Sequence, residues 1–256
     1  IPKISVIVSL YKGEKFIKAF LEDMESQTIF DNCELIILNA DSPEGEEEHI
    51  LEFMVRHDNV VYQKLDRVTT VMETQNLAIK MATGEFIAQA CVDDRHSKDS
   101  FEILAKHLMF NPKVDLVYGD CLQTTQMNET MENNSSGGAL YEHSKNSFSK
   151  ENMIKCLPGP IPMWRKSLHE KIGYFNSELA HAGDWDLFLR AVDHGSRFKK
   201  VDKPVGLYYL NEEGLSTSEK YAEARRKEEC EVFEQYKHVF GEKHYNTFKA
   251  YFHQFD

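Results

Sequence analysis

The sequence predicts an α/β protein built on a mixed, mostly parallel sheet flanked by helices, with a helical C-terminal extension. Three observations carry this reading. In the first third of the chain, short β-branched runs alternate with segments whose apolar residues recur at helical spacing; such alternation implies parallel strands covered on both faces. At 256 residues the chain is long enough to bury its own core without disulfide or metal staples. From Glu219 onward it is heavily charged, with aromatic residues at helical spacing.

The elements follow in order. Ile4–Ser9 is short, apolar and β-branched, hence a buried strand. Phe16, Ile17, Phe20, Leu21 and Met24 mark one face of the next helix. Leu35–Leu38 is a second strand, and residues 46–56 a helix burying Ile50, Phe53 and Met54. Val60–Tyr62 makes a third strand. Thr70 and Glu73 have capping-box spacing and open a helix through Leu77, Ala78 and Met81 that stops at Gly84. Phe86–Ala88 is a fourth strand, Ser97 is expected to cap a helix to about Phe110, and Val114–Tyr118 is a further strand. Residues 123–147 are polar and rich in Asn, Ser and Gly, a long loop of the kind that is either a functional lid or disordered. Ile161–Trp164, a helix near 166–172 and a helix from Asp184 to His194, ended by Gly195, come next. Strands at Phe198–Val201 and Val205–Leu210 follow. In the tail, Phe233, Tyr236, Val239 and Phe240, then Tyr245, Phe248, Tyr251 and Phe252, form a stripe expected to dock on the domain or on a partner.

Composition excludes some functions. A net charge of −12 opposes binding nucleic acid over a broad face, since phosphate contacts need clustered Lys and Arg. No apolar run approaches the roughly 20 residues of a membrane span, so no integral membrane segment is expected. Cys33, Cys91, Cys121, Cys156 and Cys230 are scattered without a CxxC pair, which reads as reduced intracellular thiols. The expected location is the cytoplasm, with a peripheral seat at a membrane's inner face as the variant. The chain starts at Ile1 without Met, as a segment of a longer polypeptide would; a module of a larger chain or an oligomer is the expected assembly.

Two groups carry chemistry. Asp93 and Asp94 follow a buried strand, and adjacent carboxylates are costly to bring together unless a cation or solvent neutralises them. Hard cations bridge such carboxylates to diphosphates; a solvated acidic turn is the plainer explanation of the pair alone. Asp184, in Gly183-Asp-Trp-Asp186, is placed as an N-cap, where the helix dipole favours the ionised form. A carboxylate held so could also take a proton from an attacking hydroxyl. Arg190 has the spacing to pair with Asp186.

Together these features resemble the family-2 glycosyltransferases of the GT-A fold, from about Ile4 to Ser216. Ile4–Tyr11 resembles the first strand and nucleotide loop, and Glu34–Ser42 the base-reading segment. Asn76–Phe86 resembles the stretch before the Asp-x-Asp motif. Pro162–Leu168 with Gly173–Phe175 is similar to the acceptor-side loop, and Gly183–Asp186 to the motif holding the catalytic base. The resemblance implies a glycosyltransferase domain over 1–216 and a helical tail over 217–256. Within the domain it implies a nucleotide-binding half of about 1–122 and an acceptor half of about 148–216.

Residue by residue, the resemblance implies a nucleotide pocket of Ser9, Leu10, Tyr11, Asn39, Asp41, Gln75, Asn76, Cys91, Val92 and Asp93. It puts the donor sugar and acceptor against Asp94, Arg95, Pro162, Met163, Trp164, Arg165, Gly183 and Trp185. Asp93, Asp94 and Asn211 would hold Mn²⁺ or Mg²⁺, which would stabilise the departing diphosphate as a Lewis acid. Asp184 would deprotonate the acceptor hydroxyl, giving inversion. The implied partners are a nucleotide-sugar donor, UDP-sugar favoured, and a glycan or lipid-linked acceptor.

The sequence departs from the family pattern at several of these positions. Asn39 stands where Asp is usual, Cys91 replaces the first Asp of Asp-x-Asp, and Gln75 replaces an Arg. Asn211 takes the place of a metal-binding His, and Gly183 that of a Glu. These departures motivate an alternative, a catalytically inactive GT-A module that binds sugar nucleotides or other proteins. A sugar nucleotidyltransferase is disfavoured because Lys12-Gly13 is too little to cradle a triphosphate.

Overall fold

The structure, a computed structural model, describes residues 1–253. An eight-stranded sheet runs in the order β3-β2-β1-β4-β7-β6-β8-β5. Its strands are β1 (Ile4–Leu10), β2 (Cys33–Asn39), β3 (Val60–Lys64), β4 (Phe86–Gln89), β5 (Arg95–His96), β6 (Leu116–Thr124), β7 (Met163–Arg165) and β8 (Phe198–Tyr209). The first four strands in that order are mutually parallel; β7 is antiparallel to β4 and β6, β8 is parallel to β6, and β5 is antiparallel to β8.

Alternation within the strands divides the core in two. Leu35 and Ile37 of β2 pack with helices α1 (Glu14–Glu25), α2 (Glu46–Arg56) and α4 (Ser100–Met109), through Phe20, Phe53 and Phe101. Ile36 and Leu38 face the other side, where α3 (Val71–Met81), α5 (Leu168–Ile172) and α6 (Gly183–Asp193) lie. Successive strand residues point to opposite faces, so a strand buried on both sides must be apolar throughout.

The tail joins the second core. Helices α7 (Ala222–Gln235), α8 (Lys237–Phe240) and α9 (Glu242–Phe252) bring Val232, Phe233, Tyr236, Val239 and Phe240 into the cluster that holds Trp185 and Phe188. The aromatic stripe therefore docks on the domain itself, apart from Tyr251, which is 62% exposed.

Several boundaries differ from those the sequence predicts. Helix α3 has its expected cap, with Thr70 Oγ1 accepting from Glu73 N at 3.1 Å, but it ends at Met81, short of Gly84. Ser97 is not a cap. Arg95 and His96 are spent as a strand on β8, Ser97 N donates to Val205 O, and α4 begins only at Ser100. Strand β6 continues to Thr124, and residues 198–209 form one strand rather than two. Register shifts around Asp120 absorb Pro204, which has no N–H to give the ladder.

Candidate active site

Strand order reverses between β1 and β4, and in open α/β sheets the crevice at such a point, outside the strands' carboxyl ends, is where ligands bind. Three strands deliver side chains there. After β1, Lys12 takes a left-handed backbone (φ 53°); after β2, Asp41 does the same (φ 55°). A buried carboxylate knits these two turns together. One oxygen of Glu46 accepts from Gly13 N and from Ser42 Oγ, both at 2.7 Å, and Ser42 Oγ accepts from Lys12 N at 3.0 Å. Ser9, near the end of β1, is half-buried, while Tyr11 and Asp41, in the turns after β1 and β2, are exposed.

The turn after β4 gathers acidic groups. Cys91 Sγ and carboxylate oxygens of Asp93 and Asp94 all lie within 4.8 Å of one another. Asp94 is buried and accepts from Tyr209 N at 3.0 Å; half-buried Asp93 accepts from Asn211 Nδ2 at 3.0 Å. Burial, and next the charge of Asp93, push the Asp94 carboxyl well above its ordinary value. The Cys91 thiol is likewise pushed well up by burial, then by Asp94, Asp93 and Asp184.

That last influence puts the start of α6 near the acidic turn. Asp184 sits in the first turn of α6, half-buried, with Oδ1 accepting from Trp185 N at 2.7 Å and Cys156 Sγ 3.7 Å from Oδ2. Burial raises its pKa; the bonds from Trp185 N and Cys156 partly offset this. The long loop after β6 closes one wall. Tyr141, from that loop, packs its ring 4.7 Å from Tyr208 of β8. Burial lifts both phenols, Tyr208 being lifted further by Asp94, Asp93, Cys91 and Asp184, and Tyr141 by Cys156 and Asp184 among its neighbours. The loop is an ordered wall, bridged to β6 through Leu140 and Leu122 and tied by Asn128 to Lys15 O and Arg95.

Comparison with known proteins identifies the scaffold. Residues 5–173, more than half of the chain, match the profile of glycosyl transferase family 2. The chain belongs to that family. Its relatives include YwdF of Bacillus subtilis, an uncharacterised glycosyltransferase, 26% identical over 247 residues that cover 94% of this chain and 85% of YwdF. Another is an uncharacterised glycosyltransferase of Methanocaldococcus jannaschii, 22% identical over 79% of this chain and 69% of that protein. Among solved structures, S. aureus TarS 1–349 in complex with UDP-GlcNAc aligns with a TM-score of 0.74 at 21% identity, over 98% of this chain and 71% of that one. The mannosyltransferase PcManGT from Pyrobaculum calidifontis, in complex with GDP-Man and Mn²⁺, gives 0.69 at 17% identity, over 91% and 64%. At these identities the structural likeness speaks to the fold, which is GT-A.

In this family-2 glycosyltransferase, Cys91, Asp93 and Asp94 cluster after β4, Asp184 is near enough for its charge to act on Cys91, and Ser9, Tyr11 and Asp41 lie at or just after the ends of β1 and β2. Other expected site residues are used differently. Trp164 is fully buried and pairs with Ile87, its indole N–H donating to His169 Nε2 at 2.9 Å. Arg165 pairs with Phe86, the first residue of β4, and so lies at the opposite end of the sheet; its guanidinium donates to Val114 O and Leu108 O. An antiparallel β7 carries these two away from the crevice. Met163 is core, and only Pro162, whose carbonyl accepts from Gln89 N at 3.3 Å, stays at the site's end.

Trp185 turns its ring into the tail, stacked on Phe240 and Phe252, with Nε1 donating to Met153 O at 2.8 Å. Asn76 clamps the backbone of Phe175 in both directions at 2.9 Å. Asn39 Oδ1 accepts from Ser42 N at 2.7 Å and Nδ2 donates to Tyr62 OH at 3.2 Å, so both ends of its amide are committed. Asn211 is an orienting group and not a free ligand: its nitrogen holds Asp93, and its oxygen accepts from Glu213 N at 3.1 Å. Arg95 is buried beneath the acidic turn, donating to Val92 O and Asp94 O; Leu10 is core, Val92 half-buried and Gln75 buried on α3.

Asp184 is not the N-cap of α6; Ala182 occupies that position and Gly183 opens the helix. A Cβ on Gly183 would come within 2.6 Å of the Met72 side chain, so α3 fills the space that the family's Glu would need. Sequence reasoning missed Tyr141, Tyr208 and Cys156. Tyr208 lay within the strand expected at Val205–Leu210, whereas nothing local marked the other two.

Proposed function

We propose that this glycosyltransferase moves a sugar, with inversion, from a nucleoside-diphosphate sugar to an acceptor hydroxyl, with Asp184 as general base. A UDP-sugar is the favoured donor and a glycan or lipid-linked glycan the acceptor. The observation that carries the reading is the meeting of Asp184 with the Cys91, Asp93 and Asp94 group at the switch point of the sheet. A base close to a diphosphate anchor suits in-line displacement at an anomeric carbon. The nucleotide complexes of TarS and PcManGT support the donor class.

The acidic group fits a divalent cation. Asp93 and Asp94 supply carboxylate oxygens within one ion's reach, and Asp93 keeps partial exposure to the crevice. When bound, Mn²⁺ or Mg²⁺ would supply Lewis-acid stabilisation of the leaving diphosphate. Asn211 and Tyr209 N would fix the two carboxylates in rotation. Tyr11 and Asp41 would flank the base. Asp184, with its raised pKa, would hold the acceptor hydroxyl and take its proton as attack proceeds. Tyr141 and Tyr208 would screen the reacting centre from water.

The test is a donor screen with UDP-, GDP- and dTDP-sugars, each with Mg²⁺ or Mn²⁺, read as nucleotide release with and without oligosaccharide acceptors. Release of one nucleoside diphosphate, lost in Asp184→Asn, is the expected result. Binding of nucleotide sugars without any release would favour an inactive sugar-nucleotide module instead. No helix of the described residues is long and apolar enough to cross a membrane.

A further inference from the structure

Helix α7 reaches the Asp184 segment from outside the sheet. The carboxylate of Glu228 accepts three consecutive backbone N–H groups, from Ala180 at 3.0 Å, His181 at 2.7 Å and Ala182 at 3.0 Å. These residues lead directly into α6. No side chain there caps the helix, because Ala-His-Ala offers none of the usual capping oxygens. A carboxylate from another element instead takes the three N–H groups that run up to the helix, with the sign of charge that a helix N-terminus favours.

The same stretch of α7 holds a second segment. Arg225 donates to Leu215 O and Ser218 O, both at 3.3 Å, and His181 Nδ1 lies 3.2 Å from Leu215 O. Leu215 and Ser218 follow Asn211, whose amide holds Asp93. One turn of α7 therefore braces both the segment entering Asp184 and the segment that orients Asp93.

We infer that Glu228 is a positioning residue that sets Asp184 against the donor site, making the tail part of the catalytic apparatus. This rests on the reading of Asp184 as base. Three charge-assisted bonds to one short segment fix its path. Losing them frees three N–H groups to seek water and lets the base drift, and a shift of about 1 Å can cost about 100-fold in rate.

The experiment uses the full chain with UDP-GlcNAc and Mn²⁺ as probe, reading UDP release by wild type, Glu228→Gln, Asp184→Asn and the double variant. Gln keeps the size of Glu but turns an N–H₂ toward backbone donors. Glu228→Gln is expected to lower kcat about 10- to 100-fold with the donor KM within about twofold. In the Asp184→Asn background it should add no further loss, since it acts only through that carboxylate. An equal loss in both backgrounds, or an unchanged kcat, overturns the inference.

Amide hydrogen exchange on the unliganded protein gives an answer that depends on no donor. Glu228→Gln should lower protection of residues 180–185 by about 10-fold or more while the sheet amides stay protected; unchanged protection there overturns the inference. Should Gln melt the protein below assay temperature, Glu228→Asp replaces it in both measurements, with smaller changes of the same sign expected. If Asp184→Asn alone turns over at the wild-type rate, the base assignment fails. That outcome is distinguishable, because Glu228→Gln would then loosen 180–185 without slowing release.

Discussion

The thiol of Cys156 lies 3.7 Å from Oδ2 of Asp184, the one side-chain donor aimed at this carboxylate among the described residues. Burial raises the Asp184 pKa and the thiol pulls it part of the way back. A weak donor thus tunes the group proposed as base. The acid limb of the kcat profile should therefore lie above the ordinary aspartate range. Cys156→Ala should move it to higher pH and Cys156→Ser, a stronger donor, to lower pH. Coincident limbs in all three proteins would separate Cys156 from the ionisation that governs turnover.

The same burial has a stability consequence whose sign is opposite to that of a salt-bridged aspartate. Because the folded-state pKa of Asp184 is raised, the folded protein binds the proton more tightly. Stability from this group is fully present below the unfolded-state pKa and is lost as pH rises through the folded value. Because Asp184 is the proposed base, Asp184→Asn should lower sugar transfer by about 100- to 10,000-fold. At pH 8 it should match or exceed the wild-type melting temperature, and the advantage should vanish at pH 3. Calorimetry across that range, beside an activity assay, checks both parts.

Asp93 and Asp94 predict a ligand-stabilisation pattern. With UDP and Mn²⁺ at about 100 times the dissociation constant, wild type should gain about 2.7 kcal/mol. Asp93→Ala should lose the Mn²⁺-dependent part of that gain. Asn211→Ala should weaken it less, since it removes an orienting bond and leaves both carboxylates. Thermal shift with UDP alone, Mn²⁺ alone and both together separates these contributions.

Phe233 tests whether the tail folds with the sheet. It is fully buried and stacks on Phe240, Tyr245 and Phe252. Phe233→Ala should cost about 3–5 kcal/mol of global stability, in one cooperative transition. Tyr251→Ala, at an exposed position of the same stripe, should change stability by no more than about 0.5 kcal/mol. A separate low-temperature transition in Phe233→Ala would mark the tail as an independent unit.

The alternation of strands and amphipathic helices, the acidic pair after β4 and the aromatic stripe of the tail were legible in the sequence. Each rests on local periodicity or on adjacent residues: Leu35 and Ile37 must face one way and Ile36 and Leu38 the other in any strand. The strand–helix alternation likewise pointed to the carboxyl ends of the strands, because parallel strands put those ends on one side of the sheet.

What only the tertiary structure decided concerns direction and partnership. The antiparallel run of β7 sends Trp164 and Arg165 toward the core and the far end of the sheet, and strand direction is set by pairing across about 75 residues, not by the residues themselves. The committed amides of Asn39, Asn76 and Asn211 depend on neighbours distant in sequence or on turn geometry. Glu228 reads in sequence as one more charge on a solvated helix. It becomes the partner of three backbone N–H groups only when α7 folds back across 46 to 48 residues onto the segment that leads to Asp184. Hydrogen bonds of that span leave no local pattern, because each end is satisfied equally well by water until the chain brings them together.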